Sequence, residues 1–255
     1  QLRVKSCDTR PLSSPQNTVP NTQIDLFEFI SVEYEVSWPI SMVVSSDSVL
    51  DYRCIFASFM QMKVAAHALR ETWGQLQTIS RDKRLGRPRH LARSNPEADY
   101  SAFLSGRLRR VELFRHELDF FLRGLSGFHQ YVVDSCWERL LGQIGMAAST
   151  MHLTSAHDHF VSKVLDLGML SPAYKAERQL IDSILQRMVD LRALVVRNDE
   201  LEFMVLEDDK TYERVESVYS AFRKDVHCLG KLLKGLRDKG HDGAMILYEQ
   251  HWFPG

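Results

Sequence analysis

The sequence predicts an all-α protein, an elongated bundle of about five long helices with a short extended segment near the N-terminus. Three observations carry that expectation. Apolar residues recur at three- and four-residue steps over most of the 255 positions, the spacing that puts side chains on one helix face. Strand-type alternation is confined to one stretch. The breaks between periodic segments are polar and marked by Pro or Gly. No repeat of 20 to 50 residues is present, so a bundle is expected rather than a solenoid.

Residues 1–23 hold Pro11, Pro15 and Pro20 among Ser, Thr and Asn, and read as a flexible lead-in to a helical domain over 24–255. Val32, Tyr34, Val36 and Trp38 alternate with Glu33, Glu35 and Ser37, predicting a half-buried extended segment that Pro39 stops. Ser46 or Asp47 caps a first helix to about residue 79. Its expected apolar stripe runs through Tyr52, Phe56, Phe59, Met60, Lys63, Ala66, Leu69, Trp73 and Leu76. A basic loop over about 80–99 follows, with Asn95-Pro96 extending the break.

The second helix is expected from about 102 to 144, some 60 Å at about 1.5 Å per residue, with a stripe from Leu108 to Leu141. Gly124 and Gly127 suggest a kink or a close helix contact there. A third helix covers about 151–167 and turns at Gly168. Ser171-Pro172 opens a fourth, since proline is tolerated where the first-turn amide has no partner. A fifth spans about 209–238 and is ended by Gly240 and Gly243.

A formal net charge of −1 gives no global drive toward nucleic acid or an anionic membrane, and neither is expected as a partner. No apolar run reaches the roughly 18 residues of a membrane span, and no signal-type segment precedes the first charges. Cys7, Cys54, Cys136 and Cys228 are far apart, without CxxC, and read as free thiols in a reducing compartment. Gln1 in place of Met suggests a segment of a longer chain.

The sequence holds no phosphate-binding glycine loop and neither HExxH nor Glu-x-x-His. His152, His157, Asp158 and His159 cluster in sequence, but their spacing scatters them around a helix. One core-facing and two solvated histidines are expected there, with no metal and no cofactor. The basic run Arg81–Arg93 lacks interleaved aromatics and reads as a solvated loop. Arg115, His116 and Glu117 form a charged patch opposite the stripe of Phe114, Leu118 and Phe121. It reads as a solvated face or, more sharply, a protein interface, where charge reversal leaves the fold intact. No enzyme is expected.

The string Tyr34-Glu35-Val36-Ser37-Trp38-Pro39-Ile40, followed by Tyr52, Phe56 and Lys63, resembles the start of the conserved C-terminal region of the gamma-tubulin complex components. Leu113-Phe114-Arg115-His116-Glu117-Leu118, then Cys136-Trp137, then Ala156-His157 with Phe160, resemble further steps of that region in the same order, so the likeness runs over about residues 24–238. The basic loop and the ending Gln250-His251-Trp252-Phe253 depart from the pattern and point to one of the larger, more divergent components. The resemblance implies a non-enzymatic helical scaffold subunit. It would bind gamma-tubulin alongside other complex components and support microtubule nucleation at the centrosome or another microtubule-organising centre in the cytoplasm. Trp38, Pro39, Tyr52, Arg115, His116 and Glu117 are the candidate protein-binding residues. If Trp38 lies in the core, Trp38→Ala should cost about 3–5 kcal/mol. The alternative from the bare helical pattern is an adaptor or tethering subunit of another cytosolic complex.

Overall fold

A computed structural model of the chain describes residues 2–6, 30–34, 36–85, 96–196, 206 and 208–249. Among them, β1 (Leu2–Ser6) pairs antiparallel with β2 (Ile30–Tyr34), Leu2 opposite Tyr34 and Ser6 opposite Ile30. Six α-helices follow: α1 (Ser46–Leu85), α2 (Pro96–Gly145), α3 (Thr150–Leu167), α4 (Lys175–Val195), α5 (Asp209–Asp238) and α6 (Asp242–Tyr248). Five are long and helix dominates, as the periodicity predicts. Cys7, the loop 86–95 and the ending 250–255 lie outside the described residues.

Two compact units divide these elements. The first takes Gln1–Val64, Leu125–Arg178 and Leu233–Gln250, the second Ala65–Gly124, Gln179–Leu232 and His251–Gly255. Met62, Leu125, Phe128, Val132, Phe160, Val164, Met169, Leu233 and Leu247 are buried in the first. Leu69, Leu76, Val111, Leu118, Phe121, Ile184, Met188, Val215 and Leu229 are buried in the second. On α2 the predicted stripe is buried throughout except at Leu141, which is exposed.

The structure corrects several expectations. Leu2–Ser6, inside the stretch read as lead-in, form a strand. Of Asn95-Pro96, read as extending a break, only Pro96 lies among the described residues, and it is helical. Pro96 is the first residue of α2, where its missing N–H leaves no unmade helical bond. On α1 the buried line is Ser58, Met62, Ala65, Leu69, Thr72, Leu76 and Ile79, rotated from the predicted aromatic stripe. Small side chains occupy several of these positions, and the Thr72 hydroxyl donates to the Ala68 carbonyl at 2.8 Å rather than remaining unpaired. Lys63 is exposed, Tyr52 is 37% exposed and so partly buried, and Phe56 and Phe59 are only half-buried.

Gly127 makes no close contact, since a Cβ there meets nothing within 4 Å. At the end of α3 the left-handed residue is Met169 (φ 55°) rather than Gly168. Gly168 serves close approach instead, because a Cβ would sit 2.8 Å from the Val164 carbonyl. Gly240 (φ 84°) does end α5, whereas Gly243 lies inside α6. A Cβ on Gly243 would fall 2.0 Å from the Leu167 carbonyl, so only glycine lets α6 dock there. His241 caps α6, its Nδ1 accepting from the Ala244 N–H at 3.0 Å, and its ring packs on Tyr174.

Candidate functional site

Beyond β2 the chain leaves the extended conformation. Trp38 and Pro39, joined by a cis peptide bond, enter a 3-10 turn over Ile40–Met42. Short-range backbone bonds hold it: Ser41 N–H to the Ser37 carbonyl at 3.2 Å and Met42 N–H to that of Pro39 at 3.1 Å. The turn is anchored to α3, where the Thr154 hydroxyl donates to the Met42 carbonyl at 3.2 Å. Its side chains point outward. Trp38 is 78% exposed, Met42 55% and Ile40 49%. This overturns the expected burial of Trp38. The alternation ends at Tyr34, and a turn carries no two-residue periodicity to hold Trp38 on a buried face.

Met151, one helical turn before Thr154 on α3, is also largely exposed. Met146, just past α2, joins Gln143, His152 and His159 in lining an open hollow of about 460 Å³. The sequence reading missed these methionines. A lone Met on an amphipathic helix carries no signal distinguishing surface from core.

Tyr52 has a different role. Its hydroxyl lies 2.9 Å from His157 Nε2, joining the start of α1 to α3, and burial raises its pKa. The Ser48 hydroxyl donates to Asp158 at 3.5 Å in the same joint. His157 is the buried histidine of its cluster, with His152 and His159 exposed, as the spacing predicts. Among the described residues no group of three His, Cys, Asp or Glu side chains is placed to hold a metal ion.

Arg115, His116 and Glu117 lie in the second unit. Arg115 places its guanidinium 4.6 Å from the centre of the Trp73 ring, tying α2 to α1. Glu117 accepts from the Tyr219 hydroxyl at 2.6 Å, tying α2 to α5, and Phe114 stacks on the same tyrosine with centroids 3.7 Å apart. Desolvation, with Glu117 as acceptor, pushes the Tyr219 pKa up to about 12. His116 is exposed. Two of the three predicted contacts are thus engaged within their own unit. Neither Trp73 nor Tyr219 is near Arg115 in sequence, and only the fold brings them there.

These features define a helix-dominated protein with an outward apolar turn. No described helix is long and apolar enough to cross a membrane. The chain belongs to the family described as gamma tubulin complex component C-terminal, whose profile matches residues 2–249. It is 21% identical over 183 residues to gamma-tubulin complex component 6 of Homo sapiens, covering 71% of this chain and 9% of that protein. It is 20% identical over 230 residues to gamma-tubulin complex component 6 of Mus musculus, covering 89% and 12%. A third likeness, 20% over 242 residues, is to gamma-tubulin complex component 4 of Arabidopsis thaliana, covering 92% and 30%. The chain therefore spans less than a third of the length of each of these relatives.

Proposed function

We propose that this domain is a non-enzymatic scaffold that binds gamma-tubulin beside other complex components and supports microtubule nucleation at a microtubule-organising centre. Family membership supplies the partner class. The observation that carries the contact is the turn at Trp38–Met42. A tryptophan, an isoleucine and a methionine stand in solvent together on a backbone held by its own hydrogen bonds and by Thr154. Contiguous exposed apolar side chains mark interaction sites, and tryptophan leads the residues that dominate interface energies. Trp38 is the anchor in this reading, with Pro39 shaping the turn, while Tyr52 positions it through α3. Arg115 and Glu117 support the second unit instead.

Titration of purified gamma-tubulin against the domain tests the proposal. Wild type should bind in solution, and Trp38→Ala should weaken binding by about thirtyfold, the equivalent of roughly 2 kcal/mol. Equal affinity in both proteins would remove Trp38 as the anchor. Failure of wild type to bind at micromolar concentration and low salt would remove gamma-tubulin as the partner of this segment.

A further inference from the structure

We infer that the outward face of α5 in the second unit docks an extended acidic segment of a protein partner. The exposed residues Arg214, Ser217, Ser220, Lys224, His227 and Lys231 follow one another at steps of three and four, so they form a single stripe along the helix. The stripe is about 25 Å long at about 1.5 Å per residue. Arg223 flanks it, with its guanidinium over the Tyr219 ring.

Exposed Glu213 stands at the start of the stripe, and beyond it no acidic residue is exposed as far as position 232. The two carboxylates in that stretch are turned toward neighbouring helices. Glu216 pairs with Arg110 at 3.3 Å, and Asp225 accepts from the Ser183 hydroxyl at 2.8 Å and lies 3.7 Å from Arg187. Asp190 borders Arg214 across a shallow groove but is taken by Gln186 at 3.0 Å and Arg187 at 3.5 Å. Arg214, Lys224 and Lys231 make no ion pair among the described residues.

A chain of net charge −1 thus gathers uncompensated cations on one helix face, and charge of that sign selects an anionic occupant. Ser217 and Ser220 are short, leaving room between Arg214 and Lys224 for a backbone to lie close, with hydroxyls to donate to carboxylates. The stripe carries no Phe, Tyr or Trp, and the single imidazole of His227 is not the run of aromatic platforms on which successive bases stack, which disfavours single-stranded nucleic acid. It lacks the row of large apolar residues that a membrane-surface helix inserts, Leu232 at its end being the single one. The inference uses residues distinct from the Trp38 turn and stands whether or not that turn binds gamma-tubulin.

Fluorescence anisotropy of a labelled twelve-residue polyglutamate peptide against the whole chain tests it. Wild type should bind at low salt and progressively less as salt is raised, because exposed charges are screened over a Debye length of about 8 Å near physiological strength. The double variant Lys224→Glu/Lys231→Glu should weaken binding by at least about tenfold. The charge-matched control Arg70→Glu/Arg81→Glu, on exposed positions of α1, should change it little. Lys224→Gln/Lys231→Gln, with the helix propensity kept, should give an intermediate loss and cover the case in which charge reversal perturbs folding. Three results would overturn the inference: no peptide binding, equal loss in stripe and control variants, or tighter binding of an oligonucleotide of equal charge or of phosphatidylserine vesicles.

Discussion

The turn at Trp38–Met42 and the segment Phe114–Glu117 contain similar chemistry, aromatic rings beside polar groups, yet the fold uses them oppositely. In the turn the backbone satisfies itself and the side chains are left in solvent. In the helical segment the ring of Phe114 lies on Tyr219, the cation of Arg115 on Trp73, and Glu117 takes the Tyr219 proton donor. The difference shows that matching a family motif does not by itself leave a side chain free, because its own unit can engage it first. A charged triplet on a helix surface looks available in sequence, but two of its members, Arg115 and Glu117, are engaged by neighbours that arrive from far along the chain, while His116 stays exposed.

Substitutions in the two regions test that contrast. Phe114→Ala removes a buried, stacked ring and should lower stability by about 3–5 kcal/mol, read by denaturant unfolding. Unchanged stability would mean that the second unit does not depend on this stack. Gly243→Ala drives a methyl into the Leu167 carbonyl and should cost about 1–3 kcal/mol. A variant as stable as wild type would show that α6 shifts freely. Glu117→Gln keeps an acceptor for Tyr219 but removes the charge, and should cost less than about 1 kcal/mol. A loss of several kcal/mol would show that this bond holds the fold and would overturn the expectation that charge changes here leave it intact. Trp38→Ala should change stability by no more than about 0.5 kcal/mol, as exposed substitutions do, against the 3–5 kcal/mol expected of a core residue. A large drop in melting temperature would return Trp38 to the core.

Stability against pH separates the regions too. His129 is buried between Phe59 and Phe128, with Nδ1 3.0 Å from the Leu125 carbonyl, and desolvation holds its pKa below the ordinary 6.5. Its neutral form is favoured in the fold. Its contribution is therefore complete above pH 6.5 and lost as pH falls below that value, when the unfolded chain takes up a proton more readily. His129→Leu should shallow the acid limb of the stability profile. Tyr219 acts in reverse. With a folded pKa of about 12 against 10.0, its contribution is complete below pH 10 and lost between pH 10 and 12, a limb that Tyr219→Phe should flatten.

Much of the fold was legible residue by residue. The stripe of α2 from Leu108 to Leu140 is buried as its spacing predicts, because one long amphipathic period leaves a single way to cover its apolar face. Trp73, at the far end of the stripe expected on α1, is instead substantially exposed beneath Arg115. On α1 the same logic found Leu69 and Leu76 but missed the rest of the buried line, since it ranks positions by hydrophobicity and the packing there favoured Ser58, Ala65, Ala68 and Thr72. Seven-residue α6 was missed because so short a helix has no intrinsic stability and forms only where Ala244 and Leu247 find a surface to cover. Of the candidate contacts, Trp38 is legible in the sequence as a contact or a core residue, and its exposure in the turn decides against the core.

Helical class, the length and order of the main helices and the family likeness were determined by the sequence alone, because amphipathic periodicity and motif order are properties of the chain read locally. Which candidate side chains stand free was decided only by tertiary structure. Exposure and pairing depend on partners more than a hundred residues away, as with Tyr52 and His157 or Glu117 and Tyr219, and nothing local encodes who those partners are.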